Sequence, residues 1–286
     1  MSYMCRVFGF RSVIQSQVHH SLVNAENALG LQSQKHPDGW GVAYYMHGSP
    51  HVMKSEMTAL DDQLFKRVSG IVSSETVVAH IRNATQGDKS LLNTHPFQYG
   101  PWIFAHNGNI KNWKEKRSEL MELLSPNLRR FVLGETDSEF LFFLILTHME
   151  SFSGHLAQTS LSNLAEATKS AMKEIVRIIG PISKIDNGAN TETYLTFIIT
   201  DGHRMLAHHG GKNLNYSTHK SICPERDTCP SFSKSCENVS KTGDRVNHLI
   251  FSSEPLSGQN IWNPMKPGDI IGVDAQMKLY FYNSEV

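Results

Sequence analysis

Cys5 stands at the start of an alternating apolar run, Met4-Cys5-Arg6-Val7-Phe8-Gly9-Phe10, and a methionine directly precedes it. If residues 1–4 are removed, or translation begins at Met4 and that methionine is then removed, the thiol and a free α-amine lie on one residue. An α-amine titrates at about 7.7–8.0 and a positioned base activates a thiol, so Cys5 could supply both nucleophile and base. The alternative is a small apolar residue that opens a buried strand, because free cysteine is among the most buried residue types.

Three further polar groups stand where predicted strands end or helices begin. The guanidinium of Arg82 could bind a carboxylate through two parallel hydrogen bonds, or it is an ordinary strand-end surface arginine. Asn107-Gly108 has the composition of a tight turn, and the Asn107 amide with the Gly108 N–H could also form an oxyanion hole. Asp137 at a helix start could receive an ammonium group or simply cap the helix.

A thiol–amine pair, a carboxylate clamp, an ammonium acceptor and two oxyanion donors fit one reaction. They would hold an α-amino acid by its amino-acid end and cleave the amide of its side chain. Two loops, His36-Pro37-Asp38-Gly39-Trp40-Gly41 and Asn93-Thr94-His95-Pro96-Phe97, could form the walls of a small polar pocket. His95 and His106 have apolar neighbours, which favours packed, hydrogen-bonded imidazoles over catalytic bases.

These motifs resemble the class II (N-terminal nucleophile) glutamine amidotransferases, and Ser253-Glu254-Pro255-Leu256 resembles their stand-alone YafJ-like and γ-glutamyl hydrolase branch. The resemblance is specific from residue 5 to about 150 and weaker after about 155. The matching segments are Met4-Cys5-Arg6, Asp38-Gly39-Trp40-Gly41, His80-Ile81-Arg82-Asn83-Ala84-Thr85, Asn93-Thr94-His95-Pro96-Phe97, His106-Asn107-Gly108-Asn109 and Gly134-Glu135-Thr136-Asp137.

The resemblance implies an α+β fold, a four-layer αββα sandwich. It implies that Cys5 attacks a glutamine side-chain carbonyl, giving a glutamyl thioester that water hydrolyses, while Asn107 and Gly108 hold the oxyanion. Arg82 would bind the α-carboxylate and Asp137 the α-amine. The matching motifs also make Trp40, Thr85 and His95 candidates for substrate binding.

Three functions remain open from the sequence. The first is hydrolysis of glutamine or of a γ-glutamyl compound by this chain, which shows no second domain able to use ammonia. The second is a glutaminase subunit that supplies ammonia to a separate synthase chain. The third is a non-catalytic scaffold with a blocked Cys5. The substrate is a small molecule in the first two cases, and no cofactor is expected.

The elements that must position these residues can be read from periodicity. Strands are predicted after Cys5 and over 40–45, 51–55, 76–81, 102–106, 194–200, 204–208, 246–252, 269–273 and 278–282. Helices are predicted over 21–34, 58–68, 113–124, 138–151 and 161–179. Residues 140–146 are apolar on every side, which indicates a fully buried helix. Strands, then helices, then strands predict α+β layers rather than a doubly wound sheet.

Composition bounds the remaining possibilities. The 286 residues contain 27 Lys+Arg and 27 Asp+Glu, so nothing indicates a nucleic-acid or acidic-membrane partner. No apolar run reaches the length of a membrane span, and no secretory signal is evident. Four cysteines in a chain of this length suit a reducing cytosol, so we expect a cytoplasmic protein. We expect a single domain over 5–286, with 1–4 as a leader or mis-assigned start and an insertion over 210–245.

Cys223, Cys229 and Cys236 follow His219 in a C-x5-C-x6-C pattern. Three thiolates and an imidazole could form a tetrahedral zinc site. The usual C-x2–4-C spacing is missing, so these four residues are weak candidates and a cysteine-containing surface insertion is favoured. No metal is therefore expected.

Overall fold

The computed structural model describes residues 5–17, 22–23, 29–33, 37–83, 86–186 and 191–285. Within these ranges the strands are β1 (Arg6–Gln17), β2 (Trp40–Met46), β3 (Ser49–Ser55), β4 (Ser73–Ile81), β5 (Phe97–Tyr99), β6 (Trp102–Asn109), β7 (Tyr194–Thr200), β8 (Met205–His208), β9 (Asn215–Ser217), β10 (His248–Ser252), β11 (Asn263–Pro264), β12 (Asp269–Val273) and β13 (Leu279–Asn283). The α-helices are α1 (Leu29–Gln32), α2 (Gln63–Ile71), α3 (Trp113–Met121), α4 (Pro126–Arg129), α5 (Asp137–Ser153) and α6 (Leu161–Ile179).

Two antiparallel sheets form the centre of the fold. In the described part of the chain, the first sheet has the strand order β11-β9-β10-β1-β4-β2-β3 and the second β13-β12-β8-β7-β6-β5. Side chains alternate between the faces of each strand, so each sheet has an inner face toward the other sheet and an outer face toward helices. This alternation decides which side chains can meet between the sheets.

Three apolar clusters fill the spaces between the layers. One lies between the two sheets and includes Val7, Ala105 and Ile198. A second packs the outer face of the first sheet beneath α1 and α2, and a third packs the second sheet against α3, α5 and α6. The order is therefore helix, sheet, sheet, helix, which confirms the predicted αββα sandwich.

The central helix α5 owes its position to its sequence. Thr136 caps it, since its hydroxyl accepts a hydrogen bond from the amide of Glu139 at 3.2 Å. All residues from Phe140 to Leu146 are buried, as the continuous apolar run predicted. The buried helix start holds Asp137 in place.

Several predicted boundaries need correction. The helix predicted over 58–68 begins only at Gln63, because Asp62 is its N-cap and accepts the Leu64 amide at 2.8 Å. Half of the helix predicted over 21–34 lies outside the described residues, and α1 covers only Leu29–Gln32 near its end. The insertion predicted over 210–245 stays a prediction, and within that segment β9 pairs with β10 in the first sheet.

The described helices lack the length and apolar character that a bilayer crossing requires.

Candidate active site

Strand alternation brings several polar side chains to one end of the space between the sheets. Cys5 comes two residues before the inner-facing Val7, and Asn107 two residues after the inner-facing Ala105. Arg82 follows β4, whose register pairs Arg6 with Ile81 and so continues to Cys5 opposite Arg82. The predicted nucleophile, carboxylate clamp and oxyanion donor therefore converge from three strands.

Cys5 and Arg82 line a cavity of about 20 Å³, here called the Cys5 cavity, and so does Gly108, whereas Asn107 is not among the lining residues. Its lining residues come from both sheets, from α5 and from the loop after β4: Cys5, Arg82, Asn83, Gln86, Asn93, His95, His106, Gly108, Thr136, Asp137 and Ser138. The volume is that of roughly one water molecule. An amino-acid substrate therefore requires the lining loop to move.

The Cys5 thiol is buried and held by one neighbouring residue. Its Sγ donates to the Asn83 carbonyl and accepts the Asn83 amide N–H, both at 3.2 Å. Burial raises the pKa of the Cys5 thiol, and the Asn83 contact and the charges of Arg82 and Arg6 offset only part of the rise. The resting sulfur is thus a thiol, which needs a base when it attacks.

Arg82 is 2% exposed, so it is not the surface arginine that its strand-end position allowed. Its Nη2 donates to the carbonyls of Gln86, Gly87 and Asp88 at 3.2, 3.4 and 3.2 Å. Its Nη1 is buried with no hydrogen-bond partner in the described part of the chain. A buried guanidinium with an unused donor is suited to an incoming carboxylate.

Asp137 is 1% exposed at the first turn of α5. Thr136 caps the helix, while Asp137 Oδ2 accepts the amide of Ile110 at 2.5 Å. Burial raises the pKa of Asp137 to about 6, against hydrogen bonds from Ile110 and Ser138 that lower it. A cationic ligand would stabilise the carboxylate form, so this position suits an ammonium group.

The prediction of a tight turn at Asn107-Gly108 is wrong. Both residues lie within β6, where Asn107 pairs with Thr196 and Gly108 with Leu195 of β7. The dipeptide signal is local, whereas β7 provides a partner strand that keeps the chain extended. A Cβ on Gly108 would lie 2.0 Å from the Tyr194 carbonyl oxygen, so glycine is required for this approach.

The buried histidines differ from one another in their hydrogen bonding. His106 donates from Nε2 to the Tyr194 carbonyl at 3.0 Å, and its Nδ1 accepts from the Ser138 hydroxyl at 2.9 Å. His95 stacks on His80 at 4.1 Å between ring centroids, yet neither nitrogen of His95 has a hydrogen-bond partner among the described residues. Packing and hydrogen bonding were both predicted, and His95 shows only the packing.

Burial keeps these imidazoles neutral. It lowers the pKa of His106 to about 4, and it lowers the pKa of His95 well below its usual value, with His80 and His106 adding to the effect. A neutral His95 has one donor and one acceptor to offer within the Cys5 cavity.

Of the predicted substrate-binding residues that the structure describes, Trp40 does not line the Cys5 cavity. Trp40 is on the outer face of β2, where it contacts Phe65 at 5.1 Å between centroids and donates to Asp62 at 3.0 Å. Its neighbour Gly41 faces inward, and a Cβ there would lie 2.0 Å from the His95 carbonyl. Glycine at position 41 therefore allows the backbone of the His95 loop to approach β2. Thr85 lies outside the described residues, as do residues 1–4 and His36.

The sequence reasoning missed two residues that shape the site. Asn93 joins both sides of the cavity, since its Oδ1 accepts the Glu135 amide at 2.9 Å and its Nδ2 donates to the Asp88 carbonyl at 3.1 Å. Lys212 is a buried lysine beside the same end of the sheets. Asn93 stands in a quoted motif and could have been found there, whereas nothing around Lys212 in the sequence marks it.

The three later cysteines line a different and much larger cavity of about 580 Å³, here called the three-cysteine cavity. Cys223 and Cys236 are buried and Cys229 partly so, and all three are free thiols. His219 is not among the lining residues. In the described ranges, no group of three or more His, Cys, Asp or Glu residues could hold a metal ion. The weak zinc candidate is therefore not assembled in this part of the structure.

The chain is similar in sequence to several known proteins. The sequence model of the class II glutamine amidotransferases matches residues 4–279. The chain belongs to this family. A putative glutamine amidotransferase of Haemophilus influenzae is 27% identical over 278 residues, covering 94% of this chain and 83% of its own length. The putative glutamine amidotransferase YafJ of Escherichia coli is 25% identical, covering 93% and 96% respectively.

A shorter match links this class II amidotransferase to a hydrolase. The gamma-glutamyl-hercynylcysteine sulfoxide hydrolase of Mycobacterium tuberculosis is 32% identical over 117 residues, 37% of this chain and 50% of that protein. These relatives confirm the YafJ-like branch that the motifs indicated. Among solved structures, a glutamine aminotransferase class-II domain protein from Silicibacter pomeroyi has a TM-score of 0.61 at 18% identity, over 98% of this chain and 99% of its own. That likeness supports the fold.

Proposed function

We propose that this chain hydrolyses the side-chain amide of glutamine or of a γ-glutamyl compound through a glutamyl thioester on Cys5. One observation carries the proposal: the Cys5 cavity brings together a thiol, a buried guanidinium with an unused donor and a buried carboxylate. Buried charges are costly unless they meet a partner. A zwitterionic amino-acid end would satisfy both charges at once.

Arg82 binds the substrate α-carboxylate in this proposal. The carboxylate takes the Nη1 donor and replaces the loop carbonyls of residues 86–88 that Nη2 now contacts. A charged oxygen is a stronger acceptor than a neutral carbonyl, so the exchange is favourable. The released loop would then open a cavity that is too small for an amino acid.

Asp137 binds the α-ammonium group, and this contact fixes the other end of the amino-acid moiety. Its pKa of about 6 falls when the cation arrives, so the carboxylate is fully ionised in the complex at neutral pH. Two charged contacts at one end orient the side-chain amide toward Cys5. Such positioning lowers the entropy cost of the attack.

The Cys5 sulfur attacks the side-chain carbonyl carbon, forming an S–C bond while the carbonyl oxygen becomes an oxyanion. The Asn107 amide and the Gly108 N–H donate to that oxygen. The intermediate collapses, the C–N bond breaks, and the amine or ammonia leaves with the proton that the thiol gave up. Water then cleaves the thioester, releasing glutamate and the thiol.

A base must accept the proton of the Cys5 thiol, because the raised pKa of this thiol keeps the sulfur protonated at neutral pH. A free α-amine on Cys5 would serve, so we propose that the active form begins at Cys5. Protein isolated from the native cell should show this start by intact-mass measurement. A fully retained Met1 or Ser2 in a fully active sample would refute it.

The decisive experiment is a hydrolysis screen of glutamine against γ-glutamyl peptides and γ-glutamyl amines, combined with trapping by a glutamine-analogue electrophile. Labelling of Cys5 with turnover of any such substrate supports the proposal. A γ-glutamyl preference makes the chain a hydrolase in its own right. Glutaminase activity that rises with an added synthase chain favours the ammonia-supplying role. No labelling at Cys5 would favour the scaffold.

A further inference from the structure

Lys212 is a buried lysine that the proposed reaction does not use. The residue is only 2% exposed, and lysine is almost never fully buried unless it is paired. Its Nζ lies 3.0 Å from Asp186 Oδ1 and 3.4 Å from the centroid of the Tyr194 ring. An ion pair and a cation–π contact together hold the ammonium in one place.

Strand register places this cation beside the candidate oxyanion strand. Tyr194 pairs with Asn109, and Thr196 pairs with Asn107. Tyr194 and Thr196 alternate with the inner-facing Ile198, so their side chains lie between the sheets. Across the space between the sheets, a Cβ on Gly9 of β1 would lie 3.0 Å from Ile198, and Arg11 donates to the His203 carbonyl, so β1 and β7 run in the same direction. The Tyr194 end of β7, and the ammonium above its ring, therefore lie at the same end of the inter-sheet space as Cys5.

The main chain of Lys212 is fixed as firmly as its side chain. Thr196 Oγ1 accepts the Lys212 amide and donates to the Lys212 carbonyl, both at 3.0 Å. The same hydroxyl oxygen accepts the amide of Gly210 at 2.9 Å. A residue held at both ends is a fixed charge rather than a mobile surface lysine.

The electrostatics agree with this placement. Burial lowers the pKa of Lys212, while Asp186 and, to a smaller extent, Cys5 raise it. The pKa of Cys5 itself responds to burial, to Asn83 and to Arg82 and Arg6, so Lys212 acts on the sulfur from a longer range than the two arginines. Arg6 and Arg82 approach Cys5 from the first sheet. Lys212 adds a cation from the second sheet. The other titratable groups around the pair are His95, His106 and Asp137 in the Cys5 cavity and Asp186 next to Lys212.

We propose that Lys212 is a positioning residue for the nucleophile, which acts by placing a fixed positive charge beside the sulfur of Cys5. The charge lowers the cost of forming a thiolate, and of the oxyanion that follows, in a space from which water is largely excluded. Asp186 and the Tyr194 ring hold the ammonium in that position. The inference rests on the proposed function only for its catalytic consequence, because the effect on the thiol exists without any substrate.

The test is the pH dependence of Cys5 alkylation by iodoacetamide, with the modified residue located by peptide mass spectrometry. The sulfur displaces iodide, forming an S–C bond, and only the thiolate reacts at a useful rate. In Lys212→Met the midpoint of the alkylation profile should move up by about 0.5–1 pH unit, so the rate at pH 7 should fall about 3- to 10-fold. Lys212→Arg keeps the charge and should stay near the wild-type midpoint.

Two controls separate the charge from a structural effect. Lys116→Met removes an exposed lysine that pairs with Glu119 on α3, and it should leave the midpoint unchanged. The double variant Asp186→Asn/Lys212→Met removes the whole ion pair. Its midpoint should still lie above wild type, though by less than in Lys212→Met, because a negative charge is lost as well.

An unchanged midpoint in Lys212→Met would overturn the proposal, as would a double variant that returns to the wild-type midpoint. If Lys212→Met fails to fold, Lys212→Gln takes its place, because it also removes the positive charge and should raise the midpoint. An unchanged midpoint in Lys212→Gln, with Lys212→Arg at the wild-type midpoint, would also overturn the proposal. Alkylation reads the thiol directly, so a chain that hydrolyses no γ-glutamyl amide could still confirm the role of Lys212.

Discussion

The cysteines lie in two regions of the molecule that differ in size and in charge. The Cys5 cavity measures about 20 Å³ and contains the buried charges of Arg82 and Asp137. The three-cysteine cavity measures about 580 Å³, and its charged lining residues, Lys220 and Glu225, are partly or fully exposed.

Size alone would have selected the wrong cavity for the proposed chemistry. The charged side chains that line the larger cavity are in contact with solvent, so they do not need a ligand of opposite charge. A buried guanidinium and a buried carboxylate beside a thiol need partners of opposite charge, because burying an unpaired charge is costly. The comparison therefore teaches that unsatisfied buried charge is a better marker of this site than volume.

The largest effect should come from removing Cys5, and the removal of a cysteine from the other cavity is its control. Cys5→Ala should lower hydrolysis by at least about 10³-fold while leaving the fold intact, because it deletes the proposed nucleophile. Cys223→Ala makes the same chemical change at a buried thiol in the other region and should retain activity. Turnover of the preferred γ-glutamyl substrate measures both. Equal losses in the two variants would erase the distinction between the cavities.

Asp137→Asn should lower kcat/KM by about 10- to 100-fold, mainly through KM, because a charge-assisted hydrogen bond to the ammonium is lost. It should also stabilise the free protein. The pKa of Asp137 rises from 3.8 to about 6 on folding, so at neutral pH the ionised carboxylate costs up to about 3 kcal/mol. Denaturant unfolding at pH 7 and pH 4 tests this, because the gain should vanish at the lower pH. A variant less stable than wild type at pH 7 would contradict the assignment.

The pH profile sharpens the same point. Wild-type kcat/KM should begin to fall below a pH of about 7.7–8.0, where the proposed α-amine base becomes protonated. The fall should steepen by about a further factor of ten per unit below a pH of about 6, because the protonated Asp137 cannot bind an ammonium group. The pKa of His106 is about 4 and that of His95 lies well below its usual value, so neither titrates in this range. The steeper part below a pH of about 6 should disappear in Asp137→Asn, whereas the limb of the α-amine should remain. A steeper part that persists unchanged would assign it to another group.

Arg82→Lys should raise KM about tenfold with little change in kcat. The ammonium of lysine keeps the charge but replaces a two-pronged contact with a single point of contact. Steady-state kinetics on the preferred substrate measures the split. An unaltered KM would show that Arg82 does not bind the carboxylate.

The smallest effect belongs to the three-cysteine cavity. A variant with Cys223, Cys229 and Cys236 all changed to serine should keep kcat/KM within about twofold, because distant sites without shared partners act independently. The metal content of the wild-type protein should be measured in the same experiment, because these three cysteines and His219 were weak candidates for a zinc site. A loss above about tenfold would make the two cavities parts of one functional unit.

Much of this fold could be predicted from local patterns. The bounds of β7, α6 and β12 agree with the predicted ranges 194–200, 161–179 and 269–273, since each segment has a strong apolar pattern with clear ends. The prediction of a tight turn at Asn107-Gly108 was wrong because turn propensity is a local property, whereas pairing with β7 depends on a distant part of the chain. The position of Trp40 was missed for a similar reason. The motif indicated the strand, but only the pairing of that strand in the sheet decided that Gly41 faces inward and Trp40 outward.

The sequence by itself determined the layers and the chemical types, a thiol, a guanidinium, a carboxylate and an amide at the ends of predicted elements. Those properties follow from apolar periodicity and from the side chains themselves. Only the tertiary structure decided that Arg82 and Asp137 are buried, that the ring nitrogens of His95 have no partner among the described residues, and that Lys212 is buried above the Tyr194 ring. Burial and partnership arise from residues far apart in the chain, so no local pattern could have specified them.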